Sequence, residues 1–340
     1  MIIDAHTHGM HGKYLDELVS AGGKWAREMI DRLQDAIRKK PHLVDVALRV
    51  EQLDRCGIDL QVVTLQQYLD CNLLPGDAAA QLVMARAINN NMSRLMEDSK
   101  GRLLTIGSIP LVGFSRDSRQ EMERAINTLG LKGINLPSNL NGKSLDLPEF
   151  DPFWAQAAEM NVPVYIHPQN PAGFRDRSYE GEYDLAHNFG WPFETMLTLS
   201  RLVFSGVMER YPTLKIVSHH LGGGIPFWWG RIMETYDPLN QGKLRGTGGI
   251  GRVLPKPLFD YFSLFYYDTA IGGNALAIKC AYEVFGADRL LFATDAPWGP
   301  GTGESRLAEY PKVIRSLGLS EEANRKIFAD NARKVLNLSE

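Results

Sequence analysis

Short apolar segments alternate with longer amphipathic segments along most of the 340-residue chain. Most of the apolar segments are four to seven residues long and rich in Val, Ile and Leu. This pattern is typical of strands that are buried on both faces of a parallel sheet. It predicts eight strands, at Ile2–Ala5, Leu60–Leu65, Leu103–Ile109, Gly133–Leu136, Val162–Ile166, Lys215–Ser218, Leu264–Tyr267 and Leu290–Ala293.

The segments between the strands repeat their apolar residues at a spacing close to that of an amphipathic helix. Ala78–Glu97 shows this spacing over its whole length. The other predicted helices are Asp117–Leu129, Pro152–Met160, Glu194–Arg210, Gly273–Phe285, Arg306–Leu317 and Glu321–Leu336.

Eight strands that alternate with helices predict the α/β class and a closed (β/α)₈ TIM barrel, as a single domain over residues 1–340. An open doubly wound sheet is the alternative, but no G-x-G-x-x-G motif follows the first strand. Three connections are long, at Gly9–Asp45, Pro168–Phe193 and Gly222–Phe262. We expect them to rise as lids or binding loops from the C-terminal face, where barrel active sites lie.

Composition and charge exclude several classes of function. With 37 Lys and Arg against 40 Asp and Glu, the net charge is −3, which gives no basis for binding nucleic acid or an anionic membrane. No apolar stretch has the length of a membrane span, and the N-terminus lacks the pattern of a signal peptide. The three cysteines lie far apart and form no disulfide framework, so we expect a cytoplasmic protein.

Histidines and one carboxylate collect at the ends of four predicted strands. The first strand runs into His6-Thr7-His8, whose two imidazoles point the same way, although this motif alone is weak. The fifth strand ends at His167, the sixth at His219 and His220, and the eighth at Asp295. The alternative is that these are ordinary polar loop residues, but that does not explain why all of them lie at the C-terminal face of the predicted barrel.

Three imidazoles and a carboxylate suit Zn²⁺, and they would also accept Mn²⁺ or Fe²⁺. A water molecule would fill the open position of such a catalytic site. The pattern therefore predicts a metal-dependent enzyme.

The order of these residues along the chain is similar to that of the amidohydrolase superfamily. Within it, His220–Pro226 followed by Gly230-Arg231 resembles the H-x-G-G-G-x-P…G-R segment of the aminocarboxymuconate-semialdehyde decarboxylase group. Arg49–Asp59, Phe204–Pro212 and Leu291–Pro297 match that group as well, so the resemblance covers nearly the whole chain.

The resemblance implies one divalent metal ion per subunit, with zinc expected, held by His6, His8, His167 and Asp295. It implies that His220 stays off the metal as the acid/base, and that Asp295 also relays a proton. His219 competes with His220 for this role, but the spacing to the following glycines favours His220. Binuclear relatives carry a lysine at the end of strand four, whereas Lys132 lies at its start, which indicates a mononuclear site.

The resemblance also implies a small-molecule carboxylate substrate and a homodimer, or a dimer of dimers. Arg231 would then reach a substrate carboxylate across the dimer interface, and the alternative is a surface ion pair. Trp191 and Trp298 lie in the suspected binding loops and are candidates for contact with substrate, the alternative being a place in the core.

Three functions are compatible with these features. The first is a non-oxidative decarboxylase, a carboxy-lyase acting on a small unsaturated or aromatic carboxylate. The second is a hydrolase or hydratase that uses metal-activated water on a lactone, an amide or a double bond. The third, a metal-binding protein without activity, is disfavoured because it would not need His220. Release of CO₂ separates the first function from the second.

Overall fold

The computed structural model describes residues 1–170, 183–235 and 254–338, so parts of the two later long connections lie outside the described residues. The strands alternate with helices in the predicted order. The barrel strands are β1 (Ile3–His8), β2 (Leu60–Thr64), β3 (Leu103–Thr105 with Gly107–Ser108), β4 (Ile134–Pro137), β5 (Val164–His167), β6 (Ile216–Ser218), β7 (Tyr266–Asp268) and β8 (Leu290–Leu291).

Neighbouring strands are parallel from β1 to β3 and from β3 to β8. Two backbone hydrogen bonds join β1 to the segment that continues β8, from Ala5 N to Phe292 O and from His8 N to Ala296 O, each 2.8 Å long. The sheet therefore closes on itself, and the predicted α/β barrel is confirmed.

Helices pack around the outside of this barrel. They are α1 (Leu15–Lys39), α2 (Val46–Cys56), α3 (Ala78–Asp98), α4 (Arg116–Glu123), α5 (Asp151–Glu159), α6 (Trp191–Phe204), α7 (Val207–Arg210), α8 (Trp229–Thr235), α9 (Leu258–Phe262), α10 (Ala275–Phe285), α11 (Glu304–Ser316), α12 (Glu321–Arg325) and α13 (Asn331–Val335). A two-stranded hairpin, Asn139–Leu140 with Lys143–Ser144, follows β4.

The core has two layers, as in other closed barrels. Side chains such as Ile3, Val62, Tyr165 and Val217 fill the inside of the barrel and are fully buried. A larger cluster lies between the strands and the surrounding helices. Strands buried on both faces explain why their sequences are continuous apolar runs.

The structure differs from the sequence-based prediction in three elements. The connection Gly9–Asp45 is largely helical, because it contains α1, which buries apolar residues along one face. The helix predicted over Glu194–Arg210 is divided at Gly206, whose φ of 80° is left-handed. The connection Gly222–Phe262 also contains helices, because α8 begins at Trp229 and α9 at Leu258. In the described part of the chain, no helix combines the length and apolar character that crossing a membrane requires.

Candidate active site

Three imidazoles from β1 and β5 meet at the C-terminal mouth of the barrel. His6, His8 and His167 are buried, and their ligand atoms lie within 4.8 Å of one another. The Nε2 atoms of His6 and His8 are only 3.2 Å apart. Two ring nitrogens at this distance repel each other unless a proton or a cation lies between them.

Hydrogen bonds at Nδ1 fix the orientation of two of these rings. The Thr64 hydroxyl donates to Thr7 O at 3.1 Å, so it accepts from Nδ1 of His8 at 3.0 Å. Nδ1 of His167 donates to the carbonyl of Pro168 at 2.8 Å. With the proton on Nδ1, each ring keeps its Nε2 lone pair for a metal ion.

A buried carboxylate at the end of β7 orients the third ring. Asp268 Oδ2 lies 2.9 Å from Nδ1 of His6 and 2.6 Å from Nδ1 of His219. Its Oδ1 accepts from the backbone N–H groups of His220 and Ala270. Burial opposes the charged form of His6, but the charge of Asp268 raises the pKa of that imidazole. Burial likewise opposes ionisation of Asp268, yet His6 and His219 hold its pKa well below the usual range.

Asp295 completes the cluster from the turn that follows β8. Its backbone is left-handed, with φ of 62°, and its N–H donates to the carbonyl of His6 at 3.0 Å. Oδ1 lies 3.3 Å from Nε2 of His8 and 3.9 Å from Nε2 of His6, while Oδ2 accepts from Arg306 at 3.1 Å. Burial disfavours the carboxylate, but the neighbouring histidines hold the pKa of Asp295 well below its usual range.

The four groups fit a divalent cation. His6, His8 and His167 present Nε2 lone pairs, and Asp295 adds an ionised oxygen on the same side. Nitrogen and oxygen donors of this kind suit zinc, manganese or iron. Lys132 precedes β4 at its N-terminal end, far from this mouth along the strand.

A left-handed turn follows β6 and carries His220. His220 has φ of 54°, and the next four residues also have positive φ. A Cβ on Gly222 would lie 2.8 Å from the Tyr267 ring, and one on Gly223 would lie 2.1 Å from Pro192 O. Only glycine is accommodated at both places, which explains the glycine run after the histidines.

The turn separates the two consecutive histidines. His219 is fully buried against Asp268, and burial lowers the pKa of its imidazole to about 3. His220 lines the cleft, and its Nδ1 donates to Ala270 O at 2.8 Å. Burial also lowers the pKa of His220, although Asp295 opposes that shift. The backbone therefore occupies Nδ1 of His220 and leaves its Nε2 free of backbone contact, while the lowered pKa favours the neutral imidazole.

A cleft of about 400 Å³ opens over the cluster. It brings together six of the predicted residues, His8, His167, Trp191, His220, Asp295 and Trp298. The ring of His6 lies 4.9 Å from that of His8. Arg231 does not line the cleft; this residue is exposed on α8. The remaining residues of the wall are Gln67, Tyr68, Asp184, His187, Gly299 and Arg306.

The sequence-based prediction did not identify three residues of this site. Asp268 satisfies the same criterion as the predicted ligands, because it is a carboxylate at the end of a strand. His187 lies within the long connection Pro168–Phe193, away from any strand end, yet it lines the cleft wall. Arg306 had no local signal, because its position depends on how α11 packs under the loop at Gly299.

A second buried network lies beneath the cluster and holds β1 in place. Arg49 donates to His8 O and to Thr7 Oγ1, each at 2.6 Å, and to Gln61 Oε1 at 2.8 Å. Gln61 in turn donates to Asp4 at 3.0 Å. Burial lowers the pKa of Arg49 to about 10, and burial raises that of Asp4 to about 6.

A sequence model of the family described as Amidohydrolase matches residues 3–338. The chain belongs to the amidohydrolase family. It is 29% identical over 295 residues to 2-amino-3-carboxymuconate-6-semialdehyde decarboxylase of Dictyostelium discoideum, covering 86% of this chain and 77% of that one. It is 26% identical over 304 residues to gamma-resorcylate decarboxylase of Rhizobium sp. (strain MTP-10005), covering 85% and 86%.

Solved structures of two decarboxylases have the same fold. A 2,6-dihydroxybenzoate decarboxylase complexed with 2,6-dihydroxybenzoate superposes with a TM-score of 0.78 and 25% identity, over 99% of each chain. 5-Carboxyvanillate decarboxylase from Sphingomonas paucimobilis superposes with a TM-score of 0.81 and 23% identity, also over 99% of each chain.

Proposed function

We propose that this member of the amidohydrolase family is a metal-dependent, non-oxidative decarboxylase of a small aromatic carboxylate. One observation carries the proposal. His220 lies in the wall of the cleft beside the cluster of His6, His8, His167 and Asp295, but its Nδ1 is tied to a backbone carbonyl. This arrangement leaves one neutral imidazole nitrogen for proton transfer close to a metal-binding cluster.

The names of the relatives support the same chemistry. The similar proteins include decarboxylases of gamma-resorcylate, of 6-methylsalicylic acid and of 2-amino-3-carboxymuconate-6-semialdehyde. Their substrates are small unsaturated or aromatic carboxylates. The cleft of about 400 Å³ falls within the size range of small-molecule sites.

His6, His8, His167 and Asp295 would hold one divalent cation per subunit. Zinc and manganese both suit these donors, and the structure of a dihydroxybenzoic acid decarboxylase from Polaromonas is described with bound manganese. A bound cation would supply positive charge that polarises substrate oxygens and stabilises negative charge as the reaction proceeds.

The protein's own groups would move the proton. His220 accepts a proton at Nε2, from a substrate hydroxyl or from water, and delivers it to the ring carbon that bears the carboxylate. Asp295, whose pKa the neighbouring histidines hold well below its usual range, lies in the same wall, where it would help to hold the cation and would relay the proton. The bond from the ring carbon to the carboxylate then breaks, its electron pair stays on the ring, and CO₂ leaves.

Aromatic and cationic residues would position the substrate. Trp191 and Trp298 lie in the cleft wall, where their rings can pack against an arene. Arg306 lies in the same wall and places a cation next to Asp295. Arg231 would reach the cleft of a second subunit in a homodimer, or in a dimer of dimers.

Product analysis tests the proposal. The protein, loaded with zinc or with manganese, is incubated with 2,6-dihydroxybenzoate, with 5-carboxyvanillate and with 2-amino-3-carboxymuconate-6-semialdehyde. We expect stoichiometric release of CO₂ from at least one of them, and loss of that release in His220→Ala. Formation of a hydrated or ring-opened product without CO₂ would instead favour the hydrolase or hydratase.

A further inference from the structure

A second, larger cavity lies beside the catalytic cleft at the same face of the barrel. Its volume is about 830 Å³, and Tyr68 lines both spaces. Its wall comes from segments that follow β1, β2, β4 and β5 along the chain. Because the C-terminal ends of parallel barrel strands share one face, both spaces open at the same mouth.

A hydrogen bond links the walls of the two spaces. Trp191 lines the catalytic cleft, and its Nε1 donates to Asn170 Oδ1 at 2.6 Å, while Asn170 lines the second cavity. The ring of Trp191 also lies 5.4 Å from that of His167. Tyr68 and Trp191 therefore lie where the second cavity adjoins the catalytic cleft, and Tyr68 belongs to the wall of both.

The far wall of the second cavity is apolar. Trp25, Met29 and Leu33 follow one another at a spacing of four residues, so they share one face of α1. Leu73 faces them from the turn after β2, and Pro75 extends the wall. The rest of the lining is polar, and it consists of Arg32, Tyr68, Asn141, Gln169 and Asn170. The apolar wall is therefore the part of the cavity that can bind the apolar portion of a small ligand.

Helix α1 therefore contributes an apolar wall close to the candidate active site. The buried residues of α1 pack in the core; they are Leu18, Ala26, Ile30 and Leu33. Trp25 and Met29 are only partly buried, and both line the cavity. Their exposed apolar surface is what an apolar ligand would cover.

We propose that the substrate carries a straight alkyl substituent, such as pentyl, that extends from the catalytic cleft past Tyr68 into this cavity. The inference rests on the proposed function, because the carboxylate must lie at the metal cluster for the substituent to reach α1. The substrate class is then an alkyl-substituted hydroxybenzoate and not an unsubstituted one.

The expected gain follows from burial of the chain. Each methylene that moves from water into an apolar site strengthens binding by about fourfold. The alkyl chain takes no part in the bond that breaks, so it is bound equally in the ground state and the transition state. The gain should therefore appear as a lower KM with little change in kcat.

The test compares matched substrates on the metal-loaded protein. Methyl, propyl and pentyl derivatives of 2,4-dihydroxybenzoate at position 6, and of 2,6-dihydroxybenzoate at position 4, cover both ring positions. We expect kcat/KM to rise at least about tenfold from methyl to pentyl in one of the two series. Decarboxylation of the methyl compounds without a rise in either series would overturn the inference and leave the proposed function intact. No release of CO₂ from any compound would count against the proposed function itself.

Two variants test whether the alkyl substituent binds in the cavity. Met29→Trp fills the space next to α1, so it should reduce the pentyl-to-methyl ratio of kcat/KM at least about tenfold. Trp25→Ala removes the largest apolar side chain of the wall, so it should also reduce this ratio, and it serves as the test if Met29→Trp does not fold. Val83→Trp is the control, because Val83 is 51% exposed on α3 and lines neither space. An unchanged ratio in both cavity variants would contradict the inference.

Discussion

His6 and His219 lie one over the other, with ring centroids 3.5 Å apart, and both direct Nδ1 at the same oxygen of Asp268. Only His6 belongs to the cluster with His8 and His167. Asp268 thus connects a candidate metal ligand to the turn that presents His220, since its other oxygen accepts from the backbone of that turn.

The first prediction concerns this carboxylate. Asp268→Asn replaces one acceptor oxygen by an NH₂ group, which cannot accept from an imidazole or from the backbone. The ring of His6 then loses its fixed orientation, so we expect metal affinity to fall by about 10- to 100-fold. Titration of the metal-free protein with zinc measures this affinity. Asp288→Asn is the control, because Asp288 pairs with Lys326 at the surface. Equal affinity in both variants would show that Asp268 does not orient the ligand.

The second prediction separates the ligands from the acid/base. His220→Ala should keep one equivalent of metal per chain but lose activity by about 10²- to 10⁴-fold, as expected for a general acid or base. His167→Ala should lose both the metal and the activity. Elemental analysis and rate measurements on the same preparations decide between these outcomes. Two equivalents of metal per chain in the unmodified protein would overturn the mononuclear site.

Consecutive histidines provide an internal control for that assignment. His219 is buried and bonded to Asp268, whereas His220 lines the cleft. His219→Ala should therefore lower stability more than His220→Ala does, because it leaves a cavity and a buried carboxylate with one partner fewer. If His220→Ala emptied the metal site while His219→Ala kept it and abolished turnover, the two roles would be reversed.

How much of the site was predictable depends on where each residue lies. His6, His8, His167 and Asp295 follow apolar strands directly, and the closed barrel brings all strand ends to one face. Asp268 lies one residue beyond the predicted seventh strand, so the same criterion would have found it. Arg306 follows the eighth strand by a whole loop, and only the packing of α11 brings it back to Asp295.

Helix α1 shows the limit of periodicity as a guide to secondary structure. Gly22 and Gly23 interrupt its sequence, and Gly23 has a left-handed φ of 57°. Glycine lowers helix propensity, so the segment looks like a long loop. Burial of Ala26, Ile30 and Leu33 against the core stabilises the helix nevertheless, because tertiary packing outweighs propensity.

The third prediction concerns the cation in the cleft wall. Arg306 donates from Nη1 to Asp295 Oδ2 and to Thr294 O, so it positions the carboxylate. Arg306→Gln should lower kcat at least about tenfold while metal is retained, and Arg306→Lys should restore part of the loss through its charge. Arg315→Gln on the same helix is the control, because Arg315 is exposed and packs over Phe328. Equal kcat values for Arg306→Gln and the unmodified protein would show that Arg306 has no role in the reaction.

The fourth prediction concerns stability. Arg49 is 3% exposed and donates to His8 O, Thr7 Oγ1 and Gln61, so Arg49→Met leaves several buried acceptors without a donor. We expect the free energy of unfolding to fall by about 3–5 kcal/mol, as when one partner of a buried polar network is removed. Arg55→Met removes an exposed pair with Glu304 and should cost at most about 1 kcal/mol. Denaturant unfolding of both variants without metal measures the difference.

The last prediction is that the active form is a homodimer, or a dimer of dimers, in which Arg231 serves the cleft of the neighbouring subunit. Within the described residues, Phe227 and Trp228 precede Arg231 closely in the chain and are 74% and 45% exposed. Leu276, which lines one cavity together with both, is 83% exposed. Apolar and aromatic surface of this kind, next to an arginine, is typical of protein interfaces. Light scattering or sedimentation should therefore give at least twice the chain mass.

A mixing experiment then tests the role of Arg231 itself. Arg231→Ala and His220→Ala are each expected to be inactive, and they are combined under conditions that exchange subunits. A mixed dimer has one cleft with both residues intact, so activity should rise towards one quarter of the unmodified level. This fraction follows because random exchange makes half of the dimers mixed, and half of the clefts in those are complete. Proven exchange without recovery would mean that Arg231 acts in its own subunit or has no part in the reaction.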